Sequence, residues 1–234
     1  MSERVDHVRD RLVLALDVGD LPQALVVAQR LVPWFGTAKV GFELYAEAGP
    51  AAFEALRHKG FRVFADLKLH DIPTTVERAA RALGRREIEF LNFHAAGGEA
   101  MLRAGIVGLD EAARESGRPR VTALAVTVLT SDANVDALAQ RVRVAASARC
   151  DGVVCAGSDI ALARAHDLRT MVPGIRLAGG ATHDQARVET PADAIARGAD
   201  WLVVGRAVTG ADDPERAAAE VTRAVADALA HAPG

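Results

Sequence analysis

Short apolar runs rich in branched residues recur along this chain, and each is followed by a longer stretch whose apolar positions return at helical spacing. Leu12-Val13-Leu14-Ala15-Leu16 opens the series and ends in Asp17. Ala38-Lys39-Val40-Gly41-Phe42 is the second run, Arg62 to Lys68 the third and Glu89 to His94 the fourth. Val121 to Val128 is the fifth, Gly152 to Ala156 the sixth, Met171-Val172 a short seventh before Pro173-Gly174, and Trp201 to Gly205 the eighth. Between them, Asp20-Leu21-Pro22 marks a helix start, with proline in the first turn where its missing N–H costs little. A helix is expected to run to about Gly60, and Val76 to Leu83, Gly98 to Ser116 and Pro214 to Leu229 carry further helical patterns.

Strands that alternate with helices and are apolar on both faces predict a parallel sheet covered by helices. Eight such units closing on themselves form a (β/α)8 TIM barrel, and 234 residues is near the lower end of that fold's size range. No linker, repeat or low-complexity stretch divides the chain, so residues 1–234 are expected to form a single α/β domain. The rival is an open doubly wound sheet, but no GxGxxG turn follows the first strand. Several runs also end in Asp17, Lys39, Lys68, His94 or Arg206, which in a barrel converge on one mouth.

The composition adds exclusions. Half of the residues are hydrophobic and a quarter charged, as in ordinary globular domains. A net charge of −3 argues against general attraction to nucleic acid, while leaving room for a local basic pocket for one phosphate. The two cysteines, Cys150 and Cys155, are too far apart for a CxxC pair, and no cluster suggests zinc. Met1 to Arg11 alternates charges without an apolar core, so no signal peptide is expected. Apolar stretches fall short of the ~20 residues that span a bilayer. A cytoplasmic enzyme that binds no membrane is the expectation.

The third strand carries the sharpest chemistry. Side chains alternate along a strand, so Asp66 and Lys68 share one face while Ala65 and Leu67 point toward the helices. Desolvating ionised groups costs several kcal/mol, so two of them inside a barrel must pair or serve a site. A purely structural ion pair is the simpler alternative. It accounts poorly for the third charge, Asp71, and for Lys39 on the neighbouring strand.

Asp66-Leu67-Lys68-Leu69-His70-Asp71-Ile72-Pro73 resembles the DxKxxDIP signature of the orotidine 5′-phosphate decarboxylases. The resemblance extends through Leu14 to Asp17, Lys39-Val40-Gly41, His94 to Gly98, Val126 to Ser131, Val172 to Arg176 and Val204-Gly205-Arg206. DxKxxD alone also occurs in related barrel enzymes acting on sugar phosphates, and a catalytically silent nucleotide-binding barrel is a third alternative. The resemblance implies cofactor-independent conversion of orotidine 5′-phosphate to UMP and CO2, the last step of de novo pyrimidine nucleotide synthesis, without a metal. It implies a homodimer with shared sites, in which Lys39, Asp66 and Lys68 act beside Asp71 of the other subunit. Lys68 would stabilise and protonate the C6 carbanion.

By the same resemblance, Gly205 and Arg206 bind phosphate, Asp17 and Lys39 the ribose, and Thr130 the base. Gln185 would bridge phosphate and base, Arg176 would line that side, and Thr75 would reach the partner's site. Small residues from Leu177 to Gln185 suggest a lid. His70 and His94 are expected to be structural, and His183 a solvated loop residue. Thr74 replaces the family's usual asparagine and Ala207 its usual proline; neither carries the chemistry.

Overall fold

The computed structural model describes residues 2–128, 136–177 and 189–231. Its strands are β1 (Leu12–Ala15), β2 (Thr37–Val40), β3 (Arg62–Leu69), β4 (Phe90–His94), β5 (Thr122–Val126), β6 (Gly152–Val154), β7 (Arg169–Val172) and β8 (Trp201–Val204). They pair in chain order, all parallel, and β8 returns to β1 with Val203 beside Val13. The chain is therefore a closed TIM barrel, and the open-sheet alternative falls.

Several local expectations need correction. Phe42 does not end β2 but opens a helix, Phe42–Ala48, and the single helix expected up to Gly60 is two, Phe42–Ala48 and Ala51–His58. Gly49 (φ 56°) separates them in a conformation that favours glycine, and Pro50 has no N–H with which to continue the first helix. The seventh strand begins two residues earlier than its apolar pair suggested. The charged start of the chain forms a helix, Ser2–Arg11, tied to the N-terminal end of the barrel. There Arg9 Nε donates to the Val32 carbonyl at 3.0 Å and Nη2 to the Gly60 carbonyl at 3.2 Å. The predicted start at Asp20 holds, since its carboxylate accepts the Gln23 N–H at 2.8 Å and caps the helix Leu21–Leu31.

Two apolar layers form the core. One lies between the strands and the helices; the other fills the barrel with Val13, Ala15, Phe64, Phe90, Leu124, Met171 and Val203. Inside, the Phe64 and Phe90 rings meet edge to face at 6.0 Å, and Phe90 meets Trp201 at 5.0 Å. One step further along β1, β3 and β4, the inward series turns polar: Ala15 gives way to Asp17, Phe64 to Asp66 and Phe90 to Asn92. The lower barrel is thus an apolar plug on which a charged layer rests. Among the described residues, no helix is long and apolar enough to cross a membrane.

The helix Pro73–Gly84 leaves directly from the Asp71-Ile72 segment, and its seating depends on close approach to the helix Gly98–Ser116. A Cβ at Gly84 would lie 2.7 Å from that of Ala112; one at Gly108 would lie 3.0 Å from the Arg81 nitrogen and press on the Glu77 carbonyl. Backbone atoms cannot give way as a flexible side chain can. Gly108→Ala should therefore destabilise the fold by about 1–3 kcal/mol. Calorimetry should show the melting temperature falling by roughly 2–4 °C for each kcal/mol. An unchanged melting temperature would contradict the close helix contact.

Candidate active site

A cavity of about 240 Å³ opens at the C-terminal ends of the strands. Ala15, Phe64, Val154 and Val203 give it an apolar floor. Asp17, Lys39, Asp66 and Lys68 supply a charged wall, joined by Arg176, Gly205 and Arg206. Seven of the residues singled out from sequence therefore meet in one place.

Asp66 is the centre of the array. Its Oδ1 accepts from Lys68 Nζ at 2.6 Å, and its Oδ2 lies 3.2 Å from Lys39 Nζ. Lys39 also donates to Asp17 Oδ1 at 2.9 Å. Burial differs sharply within the chain of charges: the Asp66 side chain is 12% exposed and that of Asp17 64%. Asp17 does not cap the following helix, a role taken by Asp20, so its carboxylate stays available at the mouth.

The electrostatics follow from this geometry. Burial would raise the Asp66 pKa, but the Lys39 and Lys68 cations and hydrogen bonds from Lys68 and Asn92 overcome it and hold the carboxyl below its ordinary value. Burial would likewise depress Lys39, yet the charges of Asp66 and Asp17 outweigh it and raise its pKa. Both groups are therefore ionised at neutral pH.

Strand alternation puts Asp66 and Lys68 on one face, as expected, but β3 is irregular there. Its register on β4 runs from Ala65 beside Leu91 to Leu69 beside Phe93, so four residues of one strand advance against two of the other. Lys68 itself takes φ 43°, a left-handed conformation that is uncommon outside glycine. Two neighbours that sequence reasoning missed support it. Asn92 Oδ1 accepts the Lys68 N–H, and the Phe42 ring centroid lies 5.7 Å from Lys68 Nζ. A polar residue inside the apolar run Phe90-Leu91-Asn92-Phe93 was the available signal for Asn92. Phe42 was hidden by its assignment to the strand.

Asp71 and Thr75 are exposed and do not line this cavity. The Asp71 carboxylate accepts the N–H of Ile72 at 2.6 Å and meets no cation among the described residues. Thr130 and Gln185, with the glycine-rich stretch proposed as a lid, lie outside the described residues. His70 and His94 stack with centroids 5.3 Å apart, outside the cavity lining. Burial, with help from His70, Arg141 and Lys68, lowers the His94 pKa, and its Nδ1 accepts the Ala96 N–H.

Residues 10–221 match the sequence model described as "Orotidine 5'-phosphate decarboxylase / HUMPS family". The chain is 43% identical to the orotidine 5′-phosphate decarboxylase of Moorella thermoacetica over 231 residues, covering 91% of this chain and 90% of that protein. It is also 43% identical to that of Alkalilimnicola ehrlichii over 230 residues, covering 92% and 96%. The crystal structure of orotidine 5′-phosphate decarboxylase from Lactobacillus acidophilus superposes with a TM-score of 0.79 at 30% identity, covering 92% of this chain and 99% of the other. An uncharacterised conserved protein from Geobacillus kaustophilus superposes with a TM-score of 0.77 at 32% identity, with the same coverage. With 43% identity over nine-tenths of its length and a matching family model, the chain belongs to the orotidine 5′-phosphate decarboxylase / HUMPS family.

Proposed function

We propose that this chain removes CO2 from C6 of orotidine 5′-phosphate to give UMP, completing de novo pyrimidine nucleotide synthesis. One observation carries the reading: Asp66 bracketed by Lys39 and Lys68 in the wall of a cavity that also holds Arg206. Within a family that also takes in HUMPS, the 43% identical relatives named orotidine 5′-phosphate decarboxylase favour this substrate.

Breaking the bond between C6 and the carboxylate leaves its electron pair on C6, with no adjacent carbonyl to spread it. The Lys68 ammonium supplies a fixed positive charge beside that carbon and then transfers a proton to it. CO2 leaves, UMP forms, and solvent returns a proton to Lys68. Asp66 stands near the departing carboxylate and keeps Lys68 in position. This mechanism needs no cofactor.

A charge pair at ~4 Å is worth about 4 kcal/mol at an effective dielectric near 20. Rate enhancements at the upper end require roughly 20 kcal/mol or more, so binding energy from remote groups must contribute. Gly205 and Arg206 take the phosphate, Asp17 and Lys39 the ribose hydroxyls, and Arg176 lines the same cavity. By the family resemblance, Thr130 reads the base and Gln185 bridges base and phosphate.

The active unit is a homodimer in which Asp71 and Thr75 of each chain complete the other's site. Two features support this. Asp71 is exposed and meets no cation among the described residues. Beside the array, Phe42 and Ile72 leave 60% and 66% of their surfaces to solvent, which suits an apolar interface. A cytoplasmic setting fits the two free, buried cysteines.

Purified protein should deplete the near-ultraviolet absorbance of orotidine 5′-phosphate in excess EDTA. Lys68→Ala should abolish turnover while leaving the fold intact by circular dichroism. Activity that disappears with the chelator would favour sugar-phosphate chemistry instead, and UMP binding without turnover a silent binding protein. Mixing Lys68→Ala and Asp71→Ala subunits, each inactive alone, should restore activity through hybrid dimers with one intact site. No recovery despite demonstrated subunit exchange would sink the shared site.

The array's ionisation gives a further expectation. The folded pKa of Asp66 lies below 3.8, so its stabilising contribution is present above that value and lost as pH falls through the folded pKa. The folded pKa of Lys39 lies above 10.5, so its contribution is present below that value and lost as pH rises through the folded pKa. Carbon-13 NMR of labelled aspartate should find Asp66 still mostly ionised at about pH 4. A midpoint above 3.8 would contradict the array.

A further inference from the structure

Asn92 is fully buried in β4, yet it does not line the cavity. The irregularity in β3 takes the Lys68 N–H out of the regular strand ladder, and a buried N–H without a partner costs about 1–3 kcal/mol. Asn92 Oδ1 accepts that N–H at 2.7 Å. The other end of the same amide, Nδ2, donates to Asp66 Oδ1 at 2.7 Å. One partner is a donor and the other a carboxylate, so the amide fits in only one orientation.

We propose that Asn92 is a positioning residue for decarboxylation: one side-chain amide holds the Lys68 backbone in its left-handed conformation and the Asp66 carboxylate in one rotation. The inference rests on the decarboxylase reading above. Asp66 Oδ1 receives both Asn92 Nδ2 and Lys68 Nζ, so the amide sets the ammonium from two directions, through its backbone and through its counterion. Few other residues can replace it. Aspartate keeps the acceptor for the Lys68 N–H but puts a second negative charge against Asp66. An apolar residue leaves the Lys68 N–H unpaired and takes one donor from Asp66. Lys39, Lys68 and Asn92 surround the carboxylate, with Asp17 beyond Lys39, so losing the Asn92 donor weakens the restraint on Asp66 specifically.

The test compares wild type, Asn92→Ala and Asn92→Asp for kcat, KM and melting temperature. Misplacing a reacting group by about 1 Å costs on the order of 100-fold, and Asn92→Ala is expected to lose about that in kcat with KM within roughly threefold. The near-isosteric Asn92→Asp should fold even where Asn92→Ala does not. Its kcat should recover toward wild type as pH falls, because the introduced carboxyl, once protonated, can donate to Asp66 again. A purely structural role predicts a lower melting temperature with kcat per folded molecule preserved, which would overturn the inference. So would a loss confined to KM, or an Asn92→Asp to wild-type kcat ratio that does not change with pH. If wild type itself turns over no orotidine 5′-phosphate, the functional reading fails instead, an outcome separate from these.

Discussion

A carboxylate buried in a barrel remains ionised only where cations surround it, and much of this site follows from meeting that condition at Asp66. Transfer of an unpaired carboxylate from water costs several kcal/mol even after the protein relaxes. Here Lys39 approaches one oxygen and Lys68 the other, so the charge is shared across two strands and the cations are fixed in return. Lys39 is held a second time by Asp17 at the mouth, which keeps its ammonium facing the cavity. The same contacts that keep Asp66 charged also aim Lys68. Stability and preorganisation are therefore one set of contacts.

The two ends of the barrel do different physical work. At the N-terminal end, arginines donate to carbonyls of the connecting segments: Arg9 to Val32 and Gly60, Arg11 to Ala199, Arg62 to Asp10 and Arg164 to Gly198. These bonds satisfy backbone acceptors that strands and helices leave unpaired, and they tie neighbouring β/α units together. Above them the Phe64, Phe90 and Trp201 rings fill the interior. The C-terminal end holds an irregular strand and a lysine at φ 43°, a sign of φ shared by Glu87, Arg149 and Asp167 in the segments that lead into β4, β6 and β7. A non-glycine residue in that conformation costs of order 1–3 kcal/mol, which the rigid lower layers make tolerable.

The barrel was legible in the sequence because most strands carry an apolar run on both faces and several of the helices between them show their own spacing. Local boundaries were less so. Apolar periodicity does not distinguish the last residue of a strand from the first of a helix, and Phe42 fell on the wrong side. A charged helix such as Ser2–Arg11 has too little apolar pattern to announce itself. In the site, Lys39, Asp66 and Lys68 stood out because charges interrupt buried strands. Asn92 did not, because its role depends on the register between β3 and β4, and register is a tertiary property. Asp71 and Thr75, which the resemblance assigns to a neighbouring chain's site, stand outside this chain's cavity.

Charge balance explains why a second chain is a sensible source for Asp71. Among the described residues of one chain, the cavity sets four cations, Lys39, Lys68, Arg176 and Arg206, against two carboxylates, Asp17 and Asp66. The excess of positive charge suits a ligand bearing both phosphate and carboxylate. On the proposed reading, much of that ligand charge is phosphate, which Arg206 would meet, and Lys68 would meet the charge left on C6. A further carboxylate on the same strand beside Lys68 would raise the desolvation cost of the free protein. In the proposed dimer the same carboxylate would arrive only as the interface closes and excludes water. In the proposed dimer its restraint on Lys68 would then come at the moment the site is complete, and the segment Asp66 to Asp71 would serve two sites.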